Sequence, residues 1–394
     1  MAVDFQQVRR QIIELGAQAP DRQQTLRSLR EQALKLLQVN ASELEAMRSK
    51  VQRVVRSYDP NLRCALPVKE PLNARFDLPP LPEKATILAA DGSQIEHSRH
   101  MEVEYGLINV GAIQMSIGGQ GAPSTSVETQ LLYDEQLFDL SVATLALRRD
   151  LHERKKLADL AQGAVQPVIT LTDGQMELWG GGIGDEEKSE FQHDMEEYRE
   201  VLSQMHSLGI TTAGYVDKPA AQLIVRLLEV VMLSESELPQ LRTLHPLRGV
   251  NDRALFYDLL EPGERSAVFG IQSRFAAEYP EALALHFFYL NVGRRGHPYL
   301  ARVEIPAWVV ENRRMLDDLH AVLVQQCRVM GNRPYPYILH RAHETAVVTV
   351  QEREQIDQMI AQELRNRGVV IGEVSYKQSG KSLGGRSSYR KKVR

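Results

Sequence analysis

Cysteine is scarce in this sequence, and long apolar runs are missing. Its 394 residues include two cysteines, Cys64 and Cys327. Two thiols so far apart form neither a disulfide framework nor a zinc-binding motif, which favours a cytoplasmic location. No window approaches the ~18 uninterrupted apolar residues of a membrane-spanning helix. Charged residues also occur among the first 20 positions. We therefore expect no membrane span, no membrane partner and no signal peptide.

An excess of either charge is also missing overall, because 47 basic residues nearly balance 51 acidic ones. The balance hides an asymmetry. Residues 377–394 hold seven basic residues and no acidic one, which leaves 40 basic and 51 acidic residues, or about −11, in residues 1–376. The chain is therefore predicted to be an acidic body with a short basic tail, and Lys391 and Lys392 in that tail suit a phosphate backbone.

Composition changes along the chain predict four segments. Residues 1–57 have apolar residues at three- and four-residue spacing and should be helical, with breaks near Pro20 and Asn40. Residues 58–84 contain six prolines, so they should form a linker or an extended crossing. We expect an α/β domain over 85–376 and a flexible basic tail over 377–394.

The centre of the chain alternates between strand and helix patterns. Its order, β-β-β-α-β-α-β-α, predicts a mixed five-stranded sheet flanked by helices, with the N-terminal helices as an appendage. The first strand should cover 85–90 and stop at the turn formed by Asp91, Gly92 and Ser93. The other expected strands are 103–117, 126–133, 168–172 and 211–216, and the expected helices are about 136–162, 186–207 and 219–234.

Two aspartates follow strands in this pattern. Asp91 comes after the first strand and Asp173 after the fourth, and each precedes a glycine. Because the first and fourth strands are expected to be neighbours, the two carboxylates should lie side by side, which favours a hard divalent cation. The alternative is that both are ordinary Asp-Gly turns.

Further candidate ligands lie on two later stretches. The helix before the fourth strand offers Asp150, Glu153 and Asp159, although such a charged stretch is more often a solvated helix face. Downstream, His343 could bind a metal or transfer a proton, and Tyr335 could contact a phosphate. The alternative for His340 and His343 is a pair of partly buried polar residues on one helix face.

These residues, in this order, resemble the NurA family of nucleases, the partners of HerA-type ATPases in DNA-end processing. The resemblance runs from about Ile87 to about Val348. The chain has Gln175 where a serine is common in the family, which alters a loop contact more than a ligand. Four short motifs carry the resemblance: Ala90-Asp91-Gly92-Ser93, Arg149 to Glu153, Thr172-Asp173-Gly174, and Tyr335-Pro336 with Ala342-His343.

The resemblance implies an RNase H-like core and a metal-dependent DNA nuclease, with 5′→3′ exonuclease and possible single-strand endonuclease activity. It also implies two Mn²⁺ or Mg²⁺ ions, a role in double-strand-break repair by homologous recombination, a homodimer, and docking onto a HerA-type hexameric ATPase. Asp150 and Glu128 compete with Glu153 as the helix ligand. The implied metal ligands are Asp91, Glu153, Asp173 and His343, with Tyr335 beside them.

Basic side chains outside the tail are candidate DNA contacts, although each is more often simply solvated. They are Lys218, Arg294, Arg295 and Arg333. A rival hypothesis keeps the fold but makes the chain a catalytically silent subunit that binds nucleic acid or docks the ATPase. The presence of all four implied ligand types favours the enzyme.

Overall fold

The computed structural model describes residues 3–96, 105–119, 121–133, 142–178 and 188–368. By packing, the chain divides into two units that we treat separately. The first unit comprises residues 1–83, 173–177 and 211–337, and the second comprises 84–172, 178–210 and 338–394. The predicted domain boundaries stay predictions, as does the basic tail, which lies outside the described residues.

The first unit begins with two helices, α1 (Phe5–Val39) and α2 (Leu44–Ser57). The predicted break at Pro20 is wrong, since this residue lies inside α1. Proline removes one N–H donor, and here the carbonyl that loses its partner belongs to Gly16, on an exposed stretch where water can satisfy it. The α2 helix begins at Leu44 and buries Met47, Val51 and Val54, as the spacing of its apolar residues predicts.

The sheet of the first unit has the strand order β1-β9-β10-β11-β7, with β8 pairing to both β2 and β10. All of these pairings are antiparallel. The proline-rich segment is extended and contributes β1 and β2. The strands are β1 (Cys64–Pro67), β2 (Arg75–Phe76), β7 (Thr211–Val216), β8 (Arg265–Ser266), β9 (Phe269–Gln272), β10 (Leu285–Asn291) and β11 (Leu300–Pro306).

Helix α2 and a later helix, α5 (Leu223–Met232), pack on β1. The further helices of the unit are α6 (Asp252–Phe256), α7 (Ala307–Glu311) and α8 (Arg313–Val329). Single-turn 3₁₀ helices cover Leu238–Gln240, Ala276–Glu278 and Glu281–Leu283.

The second unit is built on a mixed sheet with the order β5-β4-β3-β6. Neighbours β3–β4 and β4–β5 are antiparallel, whereas β3 and β6 are parallel, from Thr86↔Val168 to Ala90↔Thr172. Helix α3 packs on β3 and β4, and α4 packs on α3. The elements are β3 (Ala85–Ile95), β4 (Gly106–Ile117), β5 (Ser124–Leu132), α3 (Val142–Gln162), β6 (Val168–Asp173), α4 (Lys188–Ser207), α9 (Tyr337–Ala346) and α10 (Val350–Asn366).

One predicted feature of the second unit is wrong: β3 does not stop at Asp91. The strand continues to Ile95, and Asp91 pairs with Gly111 of β4. The antiparallel ladder with β4 overrides the local turn preference of an Asp-Gly pair. All five predicted strands are present, and the α/β class with a mixed sheet, flanking helices and N-terminal helices is confirmed.

Across the described ranges, no helix is both long enough and apolar enough to cross a membrane.

Candidate active site

Asp91 and His343 are in direct contact, although 251 residues separate them. The Nδ1 atom of His343 lies 2.6 Å from Oδ2 of Asp91. The Asp91 side chain is mostly buried, with 16% exposed, whereas that of His343 is 63% exposed. The sequence placed both in one candidate site, and the structure brings them together at an opening to solvent.

The C-terminal end of α9 sets this contact by docking on β3 and β4. The carbonyl of Ala346 accepts hydrogen bonds from Ser93 Oγ, at 2.6 Å, and from Asn109 Nδ2, at 2.8 Å. A Cβ atom on Gly111 would lie 2.5 Å from the Ala346 nitrogen, so only glycine allows this approach. His343, one turn earlier on α9, is thereby held beside Asp91.

Helix α3 approaches the residue after Asp91 just as closely. A Cβ on Gly92 would lie 2.8 Å from Arg149 Cδ and 2.8 Å from Glu153 Oε1. The interpretation of this helical stretch as a solvated face is therefore wrong for Glu153, which is 4% exposed, and for Arg154, which is 2% exposed. Both point inward because α3 packs on β3 and β4.

The carboxylates of Asp150, Glu153 and Asp91 all interact electrostatically with the Arg149 guanidinium. Arg149 donates to Asp150 Oδ1 at 2.8 Å and lies 3.6 Å from Glu153 Oε1. Burial raises the pKa of Glu153 well above its usual range, and the negative charges of Asp150 and Asp91 add to this rise. Desolvation also raises the pKa of Asp150, against the opposing effect of Arg149. The ionised form of Glu153 is therefore disfavoured in the metal-free protein, despite the nearby arginines.

Arg154 links α3 to the fourth predicted strand. Its guanidinium donates a hydrogen bond to the hydroxyl of Thr172, the residue that pairs with Ala90. In each strand the next residue is an aspartate, Asp91 or Asp173. Asp173 is exposed and belongs to the first unit, where the N–H of Gly174 donates to the carbonyl of Tyr215 at 2.8 Å.

Other predicted residues have different surroundings. Tyr335 belongs to the first unit, and its ring packs edge-on against Tyr215, with centroids 5.6 Å apart. Glu128, the rival ligand on β5, forms an ion pair with Lys156 at 3.0 Å. Asp159 is exposed, and His340 pairs with Glu344 at 3.4 Å.

The basic candidates within the described residues are all exposed and all in the first unit: Lys218, Arg294, Arg295 and Arg333. The tail residues Lys391 and Lys392, like the glycine-rich stretch 180–184, lie outside the described residues.

Sequence reasoning missed the roles of Arg149, Arg154 and Gly92. Each lies within or beside a quoted motif, but spacing alone does not reveal which charged residue of a helix points inward. One signal was available: a small residue after a strand aspartate permits close packing of a helix.

The donor set suits a hard divalent cation in its chemistry, because carboxylate oxygens dominate it. In the part of the chain that the structure describes, no three His, Cys, Asp or Glu side chains are arranged to hold a metal ion. The Arg149 guanidinium lies 2.8 Å from Asp150 Oδ1 and 3.6 Å from Glu153 Oε1, and it would have to move for a metal ion to bind there.

One family model and several solved structures match the chain. The family model described as the NurA domain matches residues 85–348. The structure of the NurA nuclease from Sulfolobus solfataricus is 12% identical, with a TM-score of 0.47 over 75% of this chain and 88% of that one. The catalytic domain of human endonuclease V is 14% identical, with a TM-score of 0.31 over 70% of this chain and 84% of that one. Among curated proteins, none matches significantly. Because the family model spans well over half of the sequence, the chain belongs to the NurA family and is a nuclease of that family.

Proposed function

We propose that this chain is a divalent-metal-dependent DNA nuclease that processes double-strand-break ends from 5′ to 3′, with single-strand endonuclease activity. The observation that carries the proposal is the buried Glu153 beside Asp91, Asp150 and Arg149. A carboxylate in this setting is costly without a nearby cation, and such strongly perturbed groups cluster at functional sites.

The residues proposed to hold metal are Asp91, Glu153, Asp173 and His343. When bound there, two Mn²⁺ or Mg²⁺ ions would supply activation of a water molecule and stabilisation of the leaving 3′ oxygen. Asp91 is the common element of this set, since it contacts His343 and precedes the glycine against which Glu153 packs.

The chain's own residues prepare the site for this chemistry. His343 fixes the orientation of the Asp91 carboxylate through their 2.6 Å contact. Arg149 offsets the mutual repulsion of the acids while the site is free of metal. Arg154, through Thr172, holds the end of β6 against α3, and Asp173 is the next residue along the chain. Buried and hydrogen-bonded supports of this kind limit side-chain movement.

Cleavage of an end-labelled linear duplex and of a labelled single strand tests the proposal. We expect products with Mn²⁺ or Mg²⁺ and none with EDTA, and the order of product release from each labelled end gives the polarity. If no metal supports cleavage while DNA binding persists, the proposal is overturned in favour of a silent binding or ATPase-docking subunit.

A stability measurement tests the buried carboxylate separately. The folded pKa of Glu153 lies above the unfolded value of 4.5, so the folded protein binds more protons than the unfolded one as pH rises past 4.5. The contribution of Glu153 to the stability of the metal-free protein therefore falls with rising pH, and Glu153→Gln should remove this contribution to the pH dependence. We expect the native protein and Glu153→Gln to melt at the same temperature at pH 5. At pH 7.5 the variant should melt about 2–4 °C higher than the native protein.

Glu128→Gln is the matched control, because its carboxylate is 61% exposed. It should not change the pH dependence. Mn²⁺ should raise the melting temperature of the native protein more than that of Glu153→Gln. A Glu153→Gln protein that melts lower than the native protein at pH 7.5 would contradict the account.

The wider biological setting rests on family membership. We propose a homodimer that works with a HerA-type hexameric ATPase in recombinational repair, in the cytoplasm. The two free cysteines, Cys64 and Cys327, are both buried and suit a reducing compartment.

A further inference from the structure

Two cavities of the first unit share Tyr299 as a lining residue. The first has a volume of about 510 Å³ and the second about 640 Å³, and both are lined in part by Pro298 and Tyr299. These volumes lie within the roughly 300–1,000 Å³ of small-ligand sites. Neither cavity contains any of the carboxylates of the candidate active site.

The charge of the lining is one-sided. Five of the described lining residues are cationic and none is acidic, although acidic residues outnumber basic ones in the whole chain. Arg30 is paired with Asp258, but no carboxylate lies within ion-pair distance of the other four among the described residues. The five are Arg30, Lys218, Arg253, Arg294 and Arg328.

The side chain of Tyr299, which lines both cavities, is held in place by its neighbours. Its hydroxyl donates to Asp217 Oδ1 at 2.8 Å, which fixes the ring, and Lys218 Nζ lies 5.5 Å from the ring centroid. Lys218 has a backbone φ of 43°, in the left-handed region that residues other than glycine rarely adopt. Such strain persists only where the surrounding structure imposes it, so the backbone at Lys218 is fixed next to Asp217.

We propose that these two cavities, which share Tyr299, bind a single strand of DNA, with phosphates at Lys218, Arg253, Arg294 and Arg328 and a base stacked on Tyr299. Unpaired cations attract phosphates, and an aromatic ring that lines a cavity can accept a base that is not already stacked inside a duplex. The inference rests on the proposed nuclease activity and deepens it, because it names the form of DNA that the chain binds at these cavities.

Binding without cleavage tests the proposal. Fluorescence anisotropy of a labelled oligothymidine is measured in EDTA, with Asp91→Asn in every protein. Tyr299→Ala should weaken single-strand binding about tenfold or more, whereas Tyr299→Phe, which keeps the ring, should stay within twofold. Lys218→Ala with Arg253→Ala should also weaken binding and lower the salt slope by about 1.4. Duplex binding should be the same for Tyr299→Ala and Tyr299→Phe.

Arg274→Ala is the matched control, since Arg274 is exposed in the same unit, outside both cavities, with its guanidinium 4.4 Å from the Phe275 ring centroid. Equal single-strand affinity for Tyr299→Ala and Tyr299→Phe would overturn the proposal. So would a Lys218/Arg253 double variant that behaves like Arg274→Ala, or an equal loss of duplex binding in Tyr299→Ala. Because no protein in this assay can cleave, a failure of the proposed catalysis leaves these outcomes unchanged.

Discussion

Replacing Asp91 by asparagine should lower the rate of DNA cleavage at least about 10³-fold, which corresponds to ~4 kcal/mol of lost transition-state stabilisation. Asparagine keeps the shape of the side chain but removes the charge that a divalent cation requires. Because the negative charge of Asp91 disfavours the ionised form of Glu153, its removal relieves repulsion, and the melting temperature of the metal-free variant should fall little. Cleavage of the labelled duplex with Mn²⁺ and thermal unfolding without metal measure the two quantities.

Asp159→Asn is the matched control, since Asp159 lies on α3 but is exposed. It should leave both quantities unchanged. Asp173→Asn should behave like Asp91→Asn if the aspartate that follows Thr172 is a metal ligand as proposed. Cleavage that survives either substitution would show that the metal-binding carboxylates are wrongly assigned.

Gly92→Ala is expected to damage both the fold and the site. Its methyl group would lie 2.8 Å from Glu153 Oε1 and from Arg149 Cδ, so α3 must shift or both side chains must turn away. Forcing an extra methyl group into a packed interior costs about 1–3 kcal/mol. Because Glu153 is displaced, cleavage should fall by at least about 10²-fold, more than the lost stability alone accounts for.

Gly163→Ala provides the comparison, because a Cβ there meets nothing within 4 Å. Urea unfolding and cleavage assays on the two variants separate a general glycine effect from the contact with α3. If Gly92→Ala were as stable and as active as Gly163→Ala, the close approach of α3 to β3 would be disproved.

The strand and helix pattern was predictable because it depends on local hydrophobic periodicity. The strand 211–216 was predicted at its observed bounds, and the helices on either side of β6 were predicted to within a few residues over the described parts. Pro20 and Asp91-Gly92 misled the prediction, because helix continuity and ladder pairing outweighed local turn preferences.

The proximity of three candidate residues was predictable from the sequence, but the packing that holds them together was not. Asp91, Glu153 and His343 came from motif order, and the structure places Asp91 in contact with His343 and Glu153 beside Gly92. The docking of Ala346 on β3 and β4 joins residues more than 230 positions apart. No local pattern encodes such a contact, and the burial of Glu153 depends on the packing of the whole α3 helix.

The most direct test of the central claim is a crystal structure of the protein soaked in Mn²⁺, with anomalous diffraction to locate the metal. The account predicts manganese bound to the Asp91 carboxylate, with Glu153 among the surrounding ligands and the Arg149 guanidinium moved away. Manganese found only away from Asp91 and Glu153, in crystals of protein that cleaves DNA with Mn²⁺, would contradict it.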